Sequence, residues 1–499
     1  MRSALSSLAI AERKTSAVRL TKWHALAVAA PFAVGVAATW NSTVAVGIVL
    51  AVGILLAVVR RTSSILIVLV VTVFLEMIRV GDVRITRVVA PVALVVVLAA
   101  ATRKGTRIRV DPPLLWALAY GTWALASGLW TQNLGGTIFL LSSLGISLTY
   151  MFAFALLLTR RDLDRILVAL AIASLLVGVS SILAFTGHHW LGLGKSELQG
   201  GRVQGATGDP SFFAAFQLIV LPLVLVLASH IRGWKRYALF FVAIINIGSV
   251  LSTVSRGGVL QLIALFLLFV LWPARSLFGS LRRKAMILLV VALGGAAFFV
   301  RYQHDIQPRL ATIFAQGKGG PNDTGSGRLI IWPAAWDAFR NHPYTGIGYG
   351  AFLPGSLDRM FNTHGTDFGN FQPIPQEPHN TFLGTLTELG VPGFVLLMGL
   401  LTSTALALRR IGIQARSAGD FFISRIGNAL LVGLIAWCVG VFFISSETAR
   451  PLWIVIGLAL ALPKLIQMPA LSPEPAKLPR PQPAATAPSG APALDTGSS

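Results

Sequence analysis

"SFFAAFQLIVLPLVLVLASHIRGWKRYALFFVAIINIGSVLSTVSRGG" runs from Ser211 to Gly258. It holds two apolar runs, 212–229 and 237–254, joined by the basic cluster RGWKR at 232–236. Runs of that length suit helices that cross a bilayer. They must be helices, because a sheet in lipid would leave backbone groups unpaired. Arginine and lysine in a short turn mark the cytoplasmic side. The stretch then ends on Arg256, followed by two glycines, just where a third apolar run begins.

The pattern extends along the whole chain. Of 499 residues, 55% are hydrophobic and only 12% charged, against about 25% charged in globular domains. Fourteen spans are expected, at roughly 22–40, 43–59, 63–79, 86–101, 113–130, 138–158, 164–186, 212–229, 237–254, 257–273, 284–301, 391–408, 425–444 and 449–466. Twelve is the alternative count, because RVGDVRITR between the third and fourth runs is short and basic. The expected fold is all-α, a polytopic transmembrane bundle of 12–14 helices.

The formal charge of +22 would suggest nucleic acid in a soluble protein. Here the basic residues cluster between apolar runs, as topology signals do, so a nucleic-acid partner is not expected. With the N-terminus inside, 28 of the 41 Lys and Arg fall on the cytoplasmic side and 13 outside. That places residues 1–21 inside as an N-terminal segment without a clear signal-peptide cleavage site. The membrane domain then covers 22–467. Two long segments fall outside, 187–211 and 302–390. The second has helix-like stretches near 326–340 and 380–389 and reads as a small folded cap, since long loops in compact proteins usually have work to do. The Pro/Ala-rich tail, 468–499, cannot bury a core and is expected to be a disordered cytoplasmic segment. The single cysteine, Cys438, is expected to be a buried, inert thiol. Arginine exceeds lysine 32 to 9, and together with abundant Ala, Val and Gly this hints at a GC-rich bacterial genome. GIGYG at 346–350 is not an ATP-binding loop, because no Gly-Lys-Ser/Thr follows.

Three polar sites fall on the expected outer side: Arg256 in STVSRGG, Arg328 in GSGRLIIWPAAWDAFRNHP, and His379 in PHNTFLGTLTELGVPG. In order, they follow a pattern of Arg-Gly, Arg with a following Trp, Pro-x-x-Gly-x-Gly-x-Gly-x-Phe, and His-Asn before Glu-x-Gly. The residues are Arg256, Arg328, Trp332, Pro343, Gly346, Gly348, Gly350, Phe352, His379, Asn380, Glu388 and Gly390. Over roughly 200–400 the chain resembles the O-antigen ligase and polymerase family of bacterial membrane glycosyltransferases. The resemblance implies a GT-C-like fold in the cytoplasmic membrane, with an active site on the extracytoplasmic face. It implies a polyprenyl-diphosphate-linked glycan as donor, a glycan or glycolipid acceptor, and other polysaccharide-assembly proteins as candidate partners. It also implies functional roles for Arg256, Arg328 and His379. Ser211 in GDPSFF stands where the family pattern leads us to expect Asn.

These residue types suit such a transfer. Negative charge grows on the diphosphate as an acceptor hydroxyl attacks the anomeric carbon. Arginine is always charged, and its planar fork matches phosphate oxygens. Arg256 and Arg328 are therefore assigned to the diphosphate, with Arg202 as a third candidate. The plainer alternatives are an interfacial arginine for Arg256, a surface-helix charge for Arg328 and a loop residue for Arg202. His379 precedes Asn380, which can cap a helix through about Leu389. Near a helix N-terminus the imidazolium is disfavoured, so a neutral ring could take a proton or orient the acceptor; the alternative is a structural histidine under the loop. Trp332 and Trp336 share a helix face and either stack on sugars or anchor at the interface. Glu388 either contacts substrate or pairs with a loop arginine. Asp209 before Pro210 reads as an N-cap. His188 and His189 read as loop polar residues. No metal-ligand spacing is evident, so no metal or cofactor is expected. A flippase would instead show ionisable residues within spans, of which Glu76 is the main one. A peptidoglycan polymerase of the SEDS type is a nearer alternative, against which the late His-Asn motif argues.

Overall fold

The computed structural model describes residues 64–74, 79–80, 83–102, 110–188, 198–199, 202–205, 208–304, 307, 328–365, 373–467 and 497. Helices dominate: α1 Ser64–Phe74, α2 Ile85–Ala101, α3 Pro112–Ala126, α4 Leu134–Leu157, α5 Arg160–Phe185, α6 Pro210–His230, α7 Trp234–Ser252, α8 Arg256–Leu271, the short α9 Ala274–Leu277, α10 Leu281–Arg301, α11 Arg328–Asn341, α12 Phe352–His364, α13 Thr381–Ser417, α14 Phe421–Gly440 and α15 Arg450–Ala461. Two antiparallel hairpins of two-residue strands, Arg79–Val80 with Val83–Arg84 and Leu198–Gln199 with Arg202–Val203, are the β-structure among the described residues. Twelve of the fourteen expected spans coincide with a helix. The first two, 22–40 and 43–59, lie outside the described residues, as do Glu76, most of the 302–327 loop and nearly all of the tail.

Seven of the described helices are long and apolar enough to cross a membrane: α4, α5, α6, α7, α10, α13 and the run Phe421–Phe443. The chain is a multi-pass membrane protein with an all-α bundle. Its centre is α6, nearly all of which is buried, packed against α7, α8 and α14. Glycines let helices approach closely. A Cβ on Gly258 would lie 2.6 Å from the Ala214 methyl, and one on Gly457 would lie 2.6 Å from the Met151 carbonyl. The outward faces carry exposed Leu98, Leu125, Ile138, Leu267 and Leu293, an apolar girdle that water would not tolerate but lipid covers.

Within the segment read as a cap, the described residues form two short helices. Helices α11 and α12 have a small core of their own, built from Ile330, Ile331, Ala334, Ala335, Ala338, Ile347, Ala351, Phe352 and Met360. The sequence reading missed α12, whose stretch FLPGSLDRMFNTH is short and mixed in polarity. The cap is tied to the α3–α4 turn and to α13. Trp130 Nε1 donates to Thr345 O at 3.0 Å, Gln132 N to Ile347 O at 2.9 Å, and Tyr349 N to Ser127 Oγ at 3.1 Å. The twelfth expected span, 391–408, is part of a longer helix that runs from Thr381 to Ser417 with a break at Gly390 (φ +66°). At that break Val391 N donates to Pro343 O at 2.8 Å, and a Cβ on Gly390 would sit 2.5 Å from Tyr344 O. The glycine is what lets the cap chain lie against the helix.

Candidate functional site

Three helix starts build one end of the bundle, and each is made the same way. A residue with left-handed backbone turns the chain, and the next residue caps the helix. Gly208 (φ +87°) precedes Asp209, Val254 (φ +47°) precedes Ser255, and His379 (φ +50°) precedes Asn380. Asp209 Oδ1 accepts from Phe212 N at 2.7 Å, Ser255 Oγ from Gly258 N at 3.1 Å, and Asn380 Oδ1 from Phe382 N and Leu383 N at 3.0 and 3.1 Å. The expected caps at Asp209 and Asn380 are therefore formed. Left-handed backbone is unusual for any non-glycine and most costly for β-branched valine. Such strain persists only where the surroundings hold it, commonly at functional sites. Here it flanks Arg256 and falls on His379 itself. Two of the starts are joined directly, Ser255 Oγ donating to Ser211 Oγ at 2.9 Å.

The segment 441–447, VFFISSE, ties these starts together. Arg328 Nη2 donates to Phe443 O at 2.9 Å, and its guanidinium lies 5.6 Å from the Phe443 ring centroid. Gly257, next to Arg256, packs so tightly on Phe443 that a Cβ there would approach the Phe443 Cβ to 2.9 Å. Thr381 Oγ1, two residues after His379, donates to Ile444 O at 2.7 Å and accepts from Ser446 N at 3.0 Å. Phe442 meets both Trp332 and Phe382, with ring centroids 6.1 Å apart in each pair. Arg256, Arg328 and His379, spread over 124 positions of the sequence, thus stand on segments anchored to one seven-residue connection. Arg256, Arg328 and His379 are all half-buried.

The other expected residues divide. Trp332 is half-buried, and its Nε1 donates to Pro378 O at 2.9 Å, so it fixes the chain immediately before His379. Trp336, one turn on, is 49% exposed with its ring against Phe339. The shared helix face does not bring it to the same place. Arg202 opens a hairpin strand; its side chain lies outside the described residues, as does His189. His188 is exposed beside Thr186. Cys438 is half-buried rather than buried. Glu388 is buried, and its partner is not the expected loop arginine. Its Oε2 accepts from Gly350 N at 2.9 Å and its Oε1 from Phe352 N at 3.2 Å. The carboxylate therefore holds the glycine loop. The loop can come this close because Gly346, Gly348 and Gly350 all have positive φ, and a Cβ on Gly348 would strike Thr131 at 2.3 Å.

Two acidic residues escaped the sequence reading, Glu377 and Glu447. Glu377 sits in the extended chain just before His379 and is exposed. Even so, the protein around it pushes its carboxyl up to about 7, by desolvation first, then by the negative charges of Glu447 and Asp209, with the Ser445 hydroxyl pulling it back down. Burial also raises the Glu447 carboxyl. The signal for this region was present in sequence. SSET at 445–448, followed by Arg450, interrupts two apolar runs with more polarity than a simple turn requires.

Residues 239–398 match the family described as O-antigen ligase, from α7 through Arg256, Arg328 and His379 into α13. Over these residues, about a third of the chain, the protein is similar to the O-antigen ligase family. No curated protein matches the chain. The similarity supports a membrane enzyme like the O-antigen ligases and polymerases. Asp209 and the 441–447 connection lie outside the matched residues but pack onto them.

Proposed function

We propose that the protein transfers a glycan from a polyprenyl-diphosphate carrier to an acceptor hydroxyl at the extracytoplasmic face of a bacterial cytoplasmic membrane, as an O-antigen ligase does. The observation that carries this reading is the joint anchoring of the Arg256 and Arg328 segments on Phe443, beside three capped helix N-termini. Helix N-termini and guanidinium groups both favour a phosphorylated anion. In the proposed reaction the acceptor oxygen attacks the anomeric carbon from the face opposite the diphosphate, which inverts the configuration. The bond from carbon to the phosphate oxygen breaks, and the diphosphate leaves with the electron pair. Arg256 and Arg328 stabilise that developing charge, the part of the reaction where fixed cations lower the barrier most. His379, held by its strained backbone and by Trp332 behind it, activates or orients the acceptor hydroxyl.

The test is glycan analysis of a deletion strain complemented with wild type, Arg256→Ala or Arg328→Ala. Wild type restores the product, and both variants insert in the membrane but fail to restore it. Full-length polymer left on the lipid carrier in the deletion identifies a ligase, whereas accumulated single repeats identify a polymerase. Normal glycan from either variant removes that arginine from the mechanism, and an unchanged glycan profile in the deletion strain refutes the reading altogether.

A further inference from the structure

At the end of the bundle opposite Arg256, Arg328 and His379, two arginines meet without an acid between them. Arg283 stands in the first turn of α10 and Arg425 in the second turn of α14. Gly279 (φ +80°) turns the chain from α9 into α10 and leaves room for both. A Cβ on it would lie 2.4 Å from Arg425 Nη2 and 3.3 Å from Arg283 Nη1, so the two guanidinium groups share one small space. Both side chains are half-buried. Arg283 Nη1 donates to the Ser229 carbonyl at 3.3 Å. Arg425 has no acceptor among the described residues, and its Nε is shut off from solvent. Asp420, at the cap of α14, already holds Arg160 at 3.1 Å and accepts from Ile423 N and Gln467 N. Asp164, on α5, is exposed and makes no ion pair among the described residues. Arg282, Arg283 and Lys284 add three cations where the dipole of α10 is already positive. Like charges so placed, partly out of water and without a counter-ion, are unfavourable. An anion seated between them reverses the sign.

We propose that Arg283 and Arg425 form a binding site for the phosphate of an anionic phospholipid headgroup. Guanidinium forks match phosphate oxygens. Basic pockets between membrane helices take such headgroups on the cytoplasmic side, where this end of the bundle is expected to lie. The surroundings favour a lipid over a free phosphate. Leu281, two residues before Arg283, is 73% exposed, and Phe421, one turn before Arg425 on the same face, is 56% exposed. Apolar side chains beside the cations gain from a lipid's acyl chains and gain nothing from an ion in water. Of the seven long helices α10 buries the smallest share of itself, so lipid reaches this corner. The bound phosphate joins α10 to α14 across the α9 turn, where the two cations alone push them apart. The site touches none of the groups assigned to glycosyl transfer and stands independently of that reading.

The test uses the full-length protein in nanodiscs of phosphatidylcholine with or without phosphatidylglycerol, read by thermal unfolding and by the lipid retained in native mass spectrometry. Wild type should unfold at a higher temperature with phosphatidylglycerol and retain it in preference to phosphatidylcholine. Arg283→Gln and Arg425→Gln should each weaken that retention by about tenfold or more, the loss of a charge-assisted hydrogen bond. Each also removes the repulsion, so in pure phosphatidylcholine both variants should unfold at or above the wild-type temperature, an outcome that a purely structural role for either arginine does not give. Arg275→Gln and Arg282→Gln remove exposed charges from the same end and should leave retention unchanged. Arg425→Lys keeps the charge and loses the fork; it should insert normally and retain less phosphatidylglycerol than wild type, and full retention overturns the guanidinium assignment. Equal loss in all four Gln variants indicates a diffuse positive surface and overturns the site, as does a wild type indifferent to phosphatidylglycerol. Equal stabilisation in pure phosphatidylcholine by inorganic phosphate alone indicates a free-phosphate site and overturns the lipid assignment.

Discussion

Glu388 gives a prediction whose size follows from the hydrogen bonds. Its two oxygens accept from the amides of Gly350 and Phe352 in a buried setting. Glu388→Ala leaves both amides without these acceptors and without water to replace them. A buried donor left unsatisfied costs about 1–3 kcal/mol, so the pair should cost about 2–6 kcal/mol. The loss is local, because the loop 346–352 also hangs on Gly348 N to Glu388 O at 2.9 Å and Ile347 N to Thr387 O at 3.1 Å, which survive. Hydrogen exchange of the full protein in nanodiscs reads such local opening directly. At tenfold per 1.4 kcal/mol, amide protection over 346–352 should fall by between about 30-fold and about 10⁴-fold. Protection in α6, which shares no bond with the loop, should not change. Glu388→Gln keeps one acceptor oxygen but turns an amide donor toward a donor, so it should fall between wild type and Ala. If Ala leaves 346–352 as protected as wild type, the assignment of Glu388 as the loop's anchor is wrong.

Three further outcomes follow. Asn380→Ala removes an acceptor shared by two amides and should destabilise the start of α13 by about 0.5–2 kcal/mol, whereas Asn380→Asp should retain most of it; comparing denaturation midpoints in detergent decides this. Gly348→Ala places a methyl 2.3 Å from Thr131 on a backbone at φ +102°, and should expose the cap to limited proteolysis while Gly384→Ala, 3.7 Å from its nearest neighbour, should not. Arg328→Lys keeps the charge but loses the fork and the stacking on Phe443. If guanidinium geometry matters, its transfer rate should fall well below wild type although the protein inserts normally, and full activity would show that charge alone suffices.

Much of the bundle could be read from the residues alone. Apolar length leaves a lipid-crossing segment only a helix to form, so the described helices coincide with the expected spans wherever both can be compared. Local chemistry was equally legible. Asp209 and Asn380 are caps because a short side chain at a helix start reaches the second or third amide whatever else the protein does. The ordered motifs around Arg256, Arg328 and His379 pointed to the O-antigen ligase family. What the residues could not give was their partners. Glu388 was expected to meet an arginine, but it meets two amides brought from nearly forty positions away, and Trp336 parts from Trp332 although the helix sets them one turn apart. The 441–447 connection reads as a turn between spans, and only packing makes it the place where α8, α11 and the start of α13 meet. Periodicity and capping are set by neighbours within a few residues, so one chain segment contains them. The site is set by which distant segments share a surface, and that depends on how the helices stack.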